Sequence, residues 1–355
     1  MSKRLLFAVF FASVSLHAAE HILVASSRSN SIEEFDTSGN WIRTFATTGP
    51  YAPVALAQSP KTGEIFVTTM WGSGAYAGQL TNRILRYDAN GNFNVNWDTF
   101  TIECGNCPTT VTQSLLFDST GDLWVATAYG TDLGGPIFIF EYLAANLNLL
   151  NPPAQPNPIQ AAMYRGNQMA FNKPGDLCIA GFIDEDVKCF NTSTGAQTVD
   201  YYAEIHASSI SPTIEPAGLA FDSLNRLYLT SVFAGQVAVE VKPGGPIVLV
   251  ATLTAPPNEL DGNLILRAPS GGLLPLLCPL CGPPPSLYTT SIFPNPGLPA
   301  FSTPDPVYQI SAAGGKVTTS SLISGAAPPA LGNDHIWGAY WMIFTNSPGL
   351  FLITP

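Results

Sequence analysis

Six cysteines fall in three close pairs, Cys104 with Cys107, Cys178 with Cys189, and Cys278 with Cys281. Two of these are C-x-x-C, the spacing of a redox dithiol or of half a zinc site. A redox dithiol needs a βαβ setting that puts its thiol at a helix N-terminus, and the flanks CGNCPTT and CPLCGPPP read as loops. A zinc site would have to join loops 171 residues apart, from Cys107 to Cys278, whereas local zinc modules keep their halves close in sequence. Disulfide staples are therefore the first reading of all six, zinc the second and redox chemistry the third.

Other catalytic constellations are sparse. Of four histidines, His17 lies in the leader described below and His21 just after it, which leaves His206 and His335 as candidate bases. Neither stands near a G-x-S-x-G elbow, and the sequence holds no H-E-x-x-H or Walker motif. A hydrogen-bonded structural imidazole is the better reading of both. Asn191-Thr192-Ser193 is a glycosylation sequon, meaningful in a eukaryotic secretory pathway.

The first nineteen residues set Lys3 and Arg4 before an apolar run and end on Ala18 and Ala19, the layout of a cleaved secretory signal peptide. The apolar run is too short to span a bilayer, which takes about 20 residues, and no later stretch reads as a membrane span. Without the leader, 12 basic residues face 25 acidic ones, a formal charge of −13. That balance excludes nucleic acid as a partner, because phosphate binding draws on clustered Lys and Arg. Charged residues make up 11% of the chain, so surface polarity falls to Ser, Thr, Asn and Gln, as suits a secreted or periplasmic β-protein.

These side chains must be positioned by a repeat. A tight turn followed by an alternating apolar strand recurs in TGEIFVTT at 62, TGDLWVAT at 120, PGDLCIAG at 174 and LNRLYLTS at 224. Another apolar run precedes each copy (VALAQSP, SLLFDST, QMAFNKP, GLAFDSL). A third strand and Gly turn follow, as in RILRYDANGN, VKCFNTSTGA and VAVEVKPGGP, and then a fourth strand such as YAEI or IVLVATL. Four short antiparallel strands per repeat make a propeller blade. The N-terminus starts one strand out of phase, with HILVASS as a second strand, so its missing first strand is expected within HIWGAYWMIFTN at the other end. The expected fold is an all-β, six-bladed propeller over residues 20–355, with N- and C-terminal strands sharing one blade; seven blades, the last from SPGLFLITP, is the minority count. A Pro-rich, Cys-containing insertion lies around 275–306, and the second strand of the last blade is either SGGLLPLL at 270 or PSLYTTSIF at 285. In the blade that holds DLCIAG and VKCFN, a four-residue loop of Phe182, Ile183, Asp184 and Glu185 sets Gly181 opposite Asp186 and Cys178 opposite Cys189. Directly opposed residues lie about 4.5 to 5.5 Å apart at Cα, within disulfide reach.

On these repeats, best seen in EPAGLAFDSLNRLYLTSVFAGQVAVEV, the chain resembles the NHL-repeat propellers and, more loosely, the gluconolactonase and senescence-marker-protein propellers. The resemblance implies that first strands line a central channel and that second-to-third-strand loops share one face, the mouth, with the loops between blades. Aromatic residues of those loops, Trp71, Tyr76 and Tyr129 with Phe182 and Phe233, are candidate ligand contacts or packing between blades. Trp71 and Tyr76 are expected in a mobile, ligand-facing loop.

The lactonase-like relatives hold a divalent cation with Glu, Asn and Asp at first-strand starts. Carried over, that position falls on Gln113, on Asn167 and on Ala217, which cannot coordinate, while Asp261 fits with a one-residue shift. The closing strand offers Asn333, Asp334 and His335, and Glu215 stands at the start of a first strand. Asn167, Asp261 and Asp334 are the metal candidates and calcium the cofactor so implied. The leading functional expectation is an exported module that binds a protein or glycan on its mouth face; a calcium-dependent hydrolase or lactonase and a structural cell-surface component are the alternatives.

Overall fold

A computed structural model describes residues 20–27, 29–72, 80–94, 100–101, 112–127, 137–149, 152, 154–155, 157–163, 165–181, 183–208, 215–231, 235–252, 264–267, 286–290, 307–313, 316–323 and 339–345. They form four-stranded antiparallel sheets, the blades of an all-β propeller, and six such sheets lie among the described residues. Blade 1 combines β1 (His21–Ser26), β2 (Ser31–Asp36) and β3 (Trp41–Thr47) with β24 (Ala339–Thr345), which pairs with the edge of β1 opposite to β2. Blade 2 comprises β4 (Tyr51–Gln58), β5 (Ile65–Gly72), β6 (Leu80–Tyr87) and β7 (Phe100–Thr101). Blade 3 comprises β8 (Thr112–Phe117), β9 (Leu123–Thr127), β10 (Ile137–Tyr142) and β11 (Ile159–Ala161). Blade 4 runs through β12 (Gly166–Phe171), β13 (Leu177–Gly181), β14 (Asp186–Phe190) and β15 (Gln197–Asp200), and is followed by the one-turn helix α1 (Tyr202–His206). Blade 5 runs through β16 (Pro216–Phe221), β17 (Leu227–Ser231), β18 (Gln236–Glu240) and β19 (Ile247–Thr252), and blade 6 through β20 (Leu264–Arg267), β21 (Ser286–Thr290), β22 (Val307–Ala313) and β23 (Lys316–Ile323).

The first strands β24, β4, β8, β12, β16 and β20 touch in that order, and β21 meets β24 to close the circuit. Sheets that are apolar on both faces must bury both, and the buried clusters lie at the seams. Ile137, Ile179 and Met163 join blades 3 and 4, and Cys178, Ile205 and Leu229 join blades 4 and 5. Ile22, Val24 and Met342 meet Tyr288 and Val307 across the closing seam. Each fully buried Leu or Ile of this kind contributes about 1.5–3 kcal/mol.

The turns away from the mouth reuse one device. In DTSGN, DANGN, DSTGD and DSLNR the first carboxylate accepts the backbone N–H groups two and four residues on; for Asp36 these are Ser38 N at 2.9 Å and Asn40 N at 2.8 Å. Asp88, Asp118 and Asp222 repeat it. The Asn40 side-chain amide, with the turn amides, holds the Asp36 carboxyl below its ordinary value. The fourth residue takes a left-handed conformation, φ 89° at Gly91 and 64° at Asn225, which favours Gly or Asn there. Gly91 also lies flat on blade 1, where a Cβ would come within 1.9 Å of the Phe45 carbonyl oxygen.

Three expectations need adjusting. YAEI is no fourth strand: the turn at Gly195 returns the chain at once into QTVD, and Tyr201 and Ile205, four residues apart, bury one side of a helical turn instead. Trp71 stands in β5, opposite Leu80, so the loop it was expected to occupy begins later, and Tyr76 lies outside the described residues. In the last blade PSLYTTSIF supplies the second strand, β21, and the 270 alternative falls away. Residues 1–19, Cys104, Cys107, Cys278, Cys281 and the 347–355 segment expected in the seven-blade alternative lie outside the described residues.

The predicted hairpin register holds, with Gly181 opposite Asp186 and Cys178 opposite Cys189, and the two sulfurs are bonded. The bond closes a separation of 11 residues inside a fully buried site. Replacing both cysteines by serine is expected to lower unfolding free energy by about 2 kcal/mol. Denaturant titration of the double variant measures this, and non-reducing peptide mapping should yield one linked Cys178–Cys189 species.

Candidate functional site at the channel mouth

First strands start at the mouth, and in blades 2 to 5 their pairing slips there, at Pro53/Ala55, Thr112/Ser114, Gly166/Met169 and Pro216/Leu219. A bulge leaves an N–H outside the ladder and re-aims the side chains next to it. A threonine at the fourth position of the second strand satisfies two of these amides: Thr68 Oγ1 accepts Ala55 N at 3.0 Å and Thr230 Oγ1 accepts Gly218 N at 2.8 Å. Blade 4 has Ala180 at that position, and its Met169 N instead donates to Ser114 Oγ of blade 3 at 3.2 Å.

Gln113, Asn167 and Ala217, which the repeat alignment places at equivalent positions, all fall within these bulges. Gln113 and Asn167 are brought together: Gln113 Nε2 donates to Asn167 Oδ1 at 3.2 Å, and both side chains are buried. Ala217 is fully buried. Glu215 is half-buried just before β16. Tyr129, Asp261, Asn333, Asp334, His335, Phe182 and Phe233 lie outside the described residues, as does the rest of the loop containing Tyr76; Trp71 is placed through its backbone alone.

Sequence reasoning missed Gln168, the residue with the longest reach. Its Oε1 accepts Leu219 N at 3.0 Å from blade 5 and Leu264 N at 2.7 Å from blade 6, while its Nε2 donates to Leu264 O at 2.9 Å. One buried amide thus ties three blades together. The close approach needs Gly218, where a Cβ would come within 2.7 Å of Leu264 N. The available signal was two adjacent polar residues, Asn167 and Gln168, in a strand whose neighbours are apolar.

Third strands also start at the mouth, and β14 begins with Asp186, which is 3% exposed. Its Oδ2 lies 3.2 Å from Lys188 Nζ. Burial pushes its carboxyl up to about 6; Lys188 opposes this, and Asp200 and Asp184 add to it. No group of three or more His, Cys, Asp or Glu with metal-binding placement occurs among the described residues.

The sequence matches no protein-family model and no curated protein. Solved structures similar to this chain include a Bacteroides caccae protein of unknown function, at 15% identity and a TM-score of 0.54 over 83% of this chain and 90% of that one. A virginiamycin B lyase from Staphylococcus aureus aligns at 12% identity and a TM-score of 0.51, over 85% of this chain and 80% of its own. A streptogramin B lyase aligns at 12% identity and a TM-score of 0.51, over 87% and 85%. At such identities the likeness is one of fold, and a fold carries many unrelated activities. The propeller architecture that the sequence resemblance implied is present.

Proposed function

We propose that this chain is an exported propeller with a ring of six blades that acts as a binding module, taking a protein or glycan on its mouth face without turning it over. The observation that carries this reading is the Gln113–Asn167 amide pair, which, buried and bonded to itself, fixes the starts of two neighbouring first strands beneath the mouth face. The leader-like first nineteen residues and the Cys178–Cys189 bond support export into an oxidising compartment.

Calcium, the cofactor implied by the lactonase-like resemblance, takes six to eight oxygens and draws affinity from carboxylates. Among the described residues the corresponding positions supply two neutral amides, already hydrogen-bonded to one another, and Ala217, which has no side-chain oxygen. These described positions offer calcium no carboxylate. Thermal unfolding of the mature protein in excess calcium and in excess chelator separates the readings: a binding module melts at the same temperature in both. A cation held at 100 times its Kd would add about 2.7 kcal/mol, and such a rise would return the calcium-dependent hydrolase. Binding to a glycan and peptide array, weakened in Gln113→Ala and Asn167→Ala, is the positive result expected.

A further inference from the structure

The helix α1 sits on the mouth rim between blades 4 and 5, and His206 ties its last turn to the β13–β14 loop. His206 Nδ1 lies 2.9 Å from the Tyr202 carbonyl oxygen of its own turn, and Nε2 lies 3.0 Å from Glu185 Oε2 in the β13–β14 loop. Both ring nitrogens thus face oxygen acceptors. A neutral imidazole has one N–H and can donate to only one of them, whereas the imidazolium donates to both. The Tyr202 ring stacks on the imidazole, centroids 3.8 Å apart, and leaves 51% of that residue exposed. The loop end of the contact is equally particular: Glu185 adopts φ 56°, a left-handed conformation uncommon outside Gly, Asn and Asp. Fully buried Ile205 anchors the other side of the turn in the seam between blades 4 and 5.

We propose that α1 is a pH-responsive strap on the mouth rim, fastened to the blade-4 loop when His206 is protonated and loosened when it is neutral. Asp200 Oδ1 accepts Tyr202 N at 3.0 Å at the start of the turn, Glu240 and Glu204 act on Tyr201, and in β14, which packs against α1, Lys188, Asp200 and Asp184 act on Asp186. A neutral ring leaves Glu185 without its charged donor. Histidine is the side chain that ordinarily changes charge between pH 5 and 8, and Asp186, whose carboxyl burial has pushed up, ionises in the same range. Raising the pH therefore makes the cluster more negative through both groups at once. This inference rests on α1 and its loop alone and holds whichever ligand the mouth takes.

Backbone amide exchange in the full mature protein tests it. The reporters are Ile205, Ala207 and Ser208, whose N–H groups bond the Tyr201, Ala203 and Ile205 carbonyls. After correction for intrinsic exchange, their protection should fall about two- to fivefold between pH 5 and pH 7.5, the loss expected for one exposed ion pair, while Leu219 N in the channel stays unchanged. In His206→Gln and Glu185→Gln the fall should disappear. Protection that is flat with pH in the natural sequence would overturn the strap. So would a pH dependence that survives in His206→Gln and vanishes in Asp186→Asn, which would assign it to the buried carboxyl alone.

Discussion

Gln168→Leu lowers the unfolding free energy by about 4 kcal/mol, the largest loss expected from any single polar substitution at the channel. The argument starts from what leucine leaves behind. Gln168 is 7% exposed, and its amide serves Leu219 N, Leu264 N and Leu264 O on two other blades. Leucine fills a similar volume and serves none of them. A buried backbone group stripped of its partner costs about 1–3 kcal/mol, and three such groups outweigh the one CH-rich side chain gained, worth about 1 kcal/mol at a site already dry. Gln168→Glu discriminates further: its carboxylate keeps both acceptor bonds and loses the donor to Leu264 O, so it should be the milder variant in acid, where the protonated carboxyl regains a donor. Chemical denaturation with matched slopes measures both. A loss below about 1 kcal/mol for Gln168→Leu would mean that water or a shifted backbone satisfies the three groups, and that the amide does not hold blades 4, 5 and 6 together.

That residue also marks where the sequence stops being legible. The blade repeat can be read from it because the same local instruction recurs: an alternating apolar run, an Asp-x-x-Gly turn, another run. Hairpin register follows from loop length by counting, which is why Cys178 and Cys189 are found opposite one another. Alignment of repeats also sets Gln113, Asn167 and Ala217 at equivalent places in three blades, though not the bulges that hold them. Gln168 escapes that logic because its partners are backbone groups 51 and 96 residues away, and backbone groups have no sequence signature. The helix at Tyr202–His206 was misread for a related reason: over five residues a strand and a single helical turn show nearly the same alternation. Trp71 shows the limit of reading loop length from Gly content, since β5 runs on to Gly72 before the chain turns.

The other large effect is a pH dependence that runs opposite to that of an ordinary surface aspartate. The Asp186 carboxyl is raised from 3.8 to about 6 by burial. The folded protein therefore holds this proton more tightly than the unfolded chain does. Its contribution to stability is fully present below about pH 3, where both states are protonated, declines once the unfolded carboxyl ionises near 3.8, and is gone above about pH 6. At 1.36 kcal/mol per unit, the shift corresponds to about 3 kcal/mol between those limits. The exposed turn carboxylate of Asp36 works the other way, because its pKa is lowered and its contribution is lost as pH falls. A single melting curve sums the two, so Asp186 has to be isolated by difference. Asp186→Asn keeps the shape and an oxygen for Lys188 but cannot ionise. The gap in unfolding free energy between the natural sequence and this variant should swing by about 3 kcal/mol from pH 3 to pH 7.5, with the variant relatively more stable at the higher pH. A gap that stays constant would place the Asp186 carboxyl in contact with water. A swing of the reverse sign would mean that Lys188 Nζ, 3.2 Å away, outweighs burial and keeps the group ionised throughout.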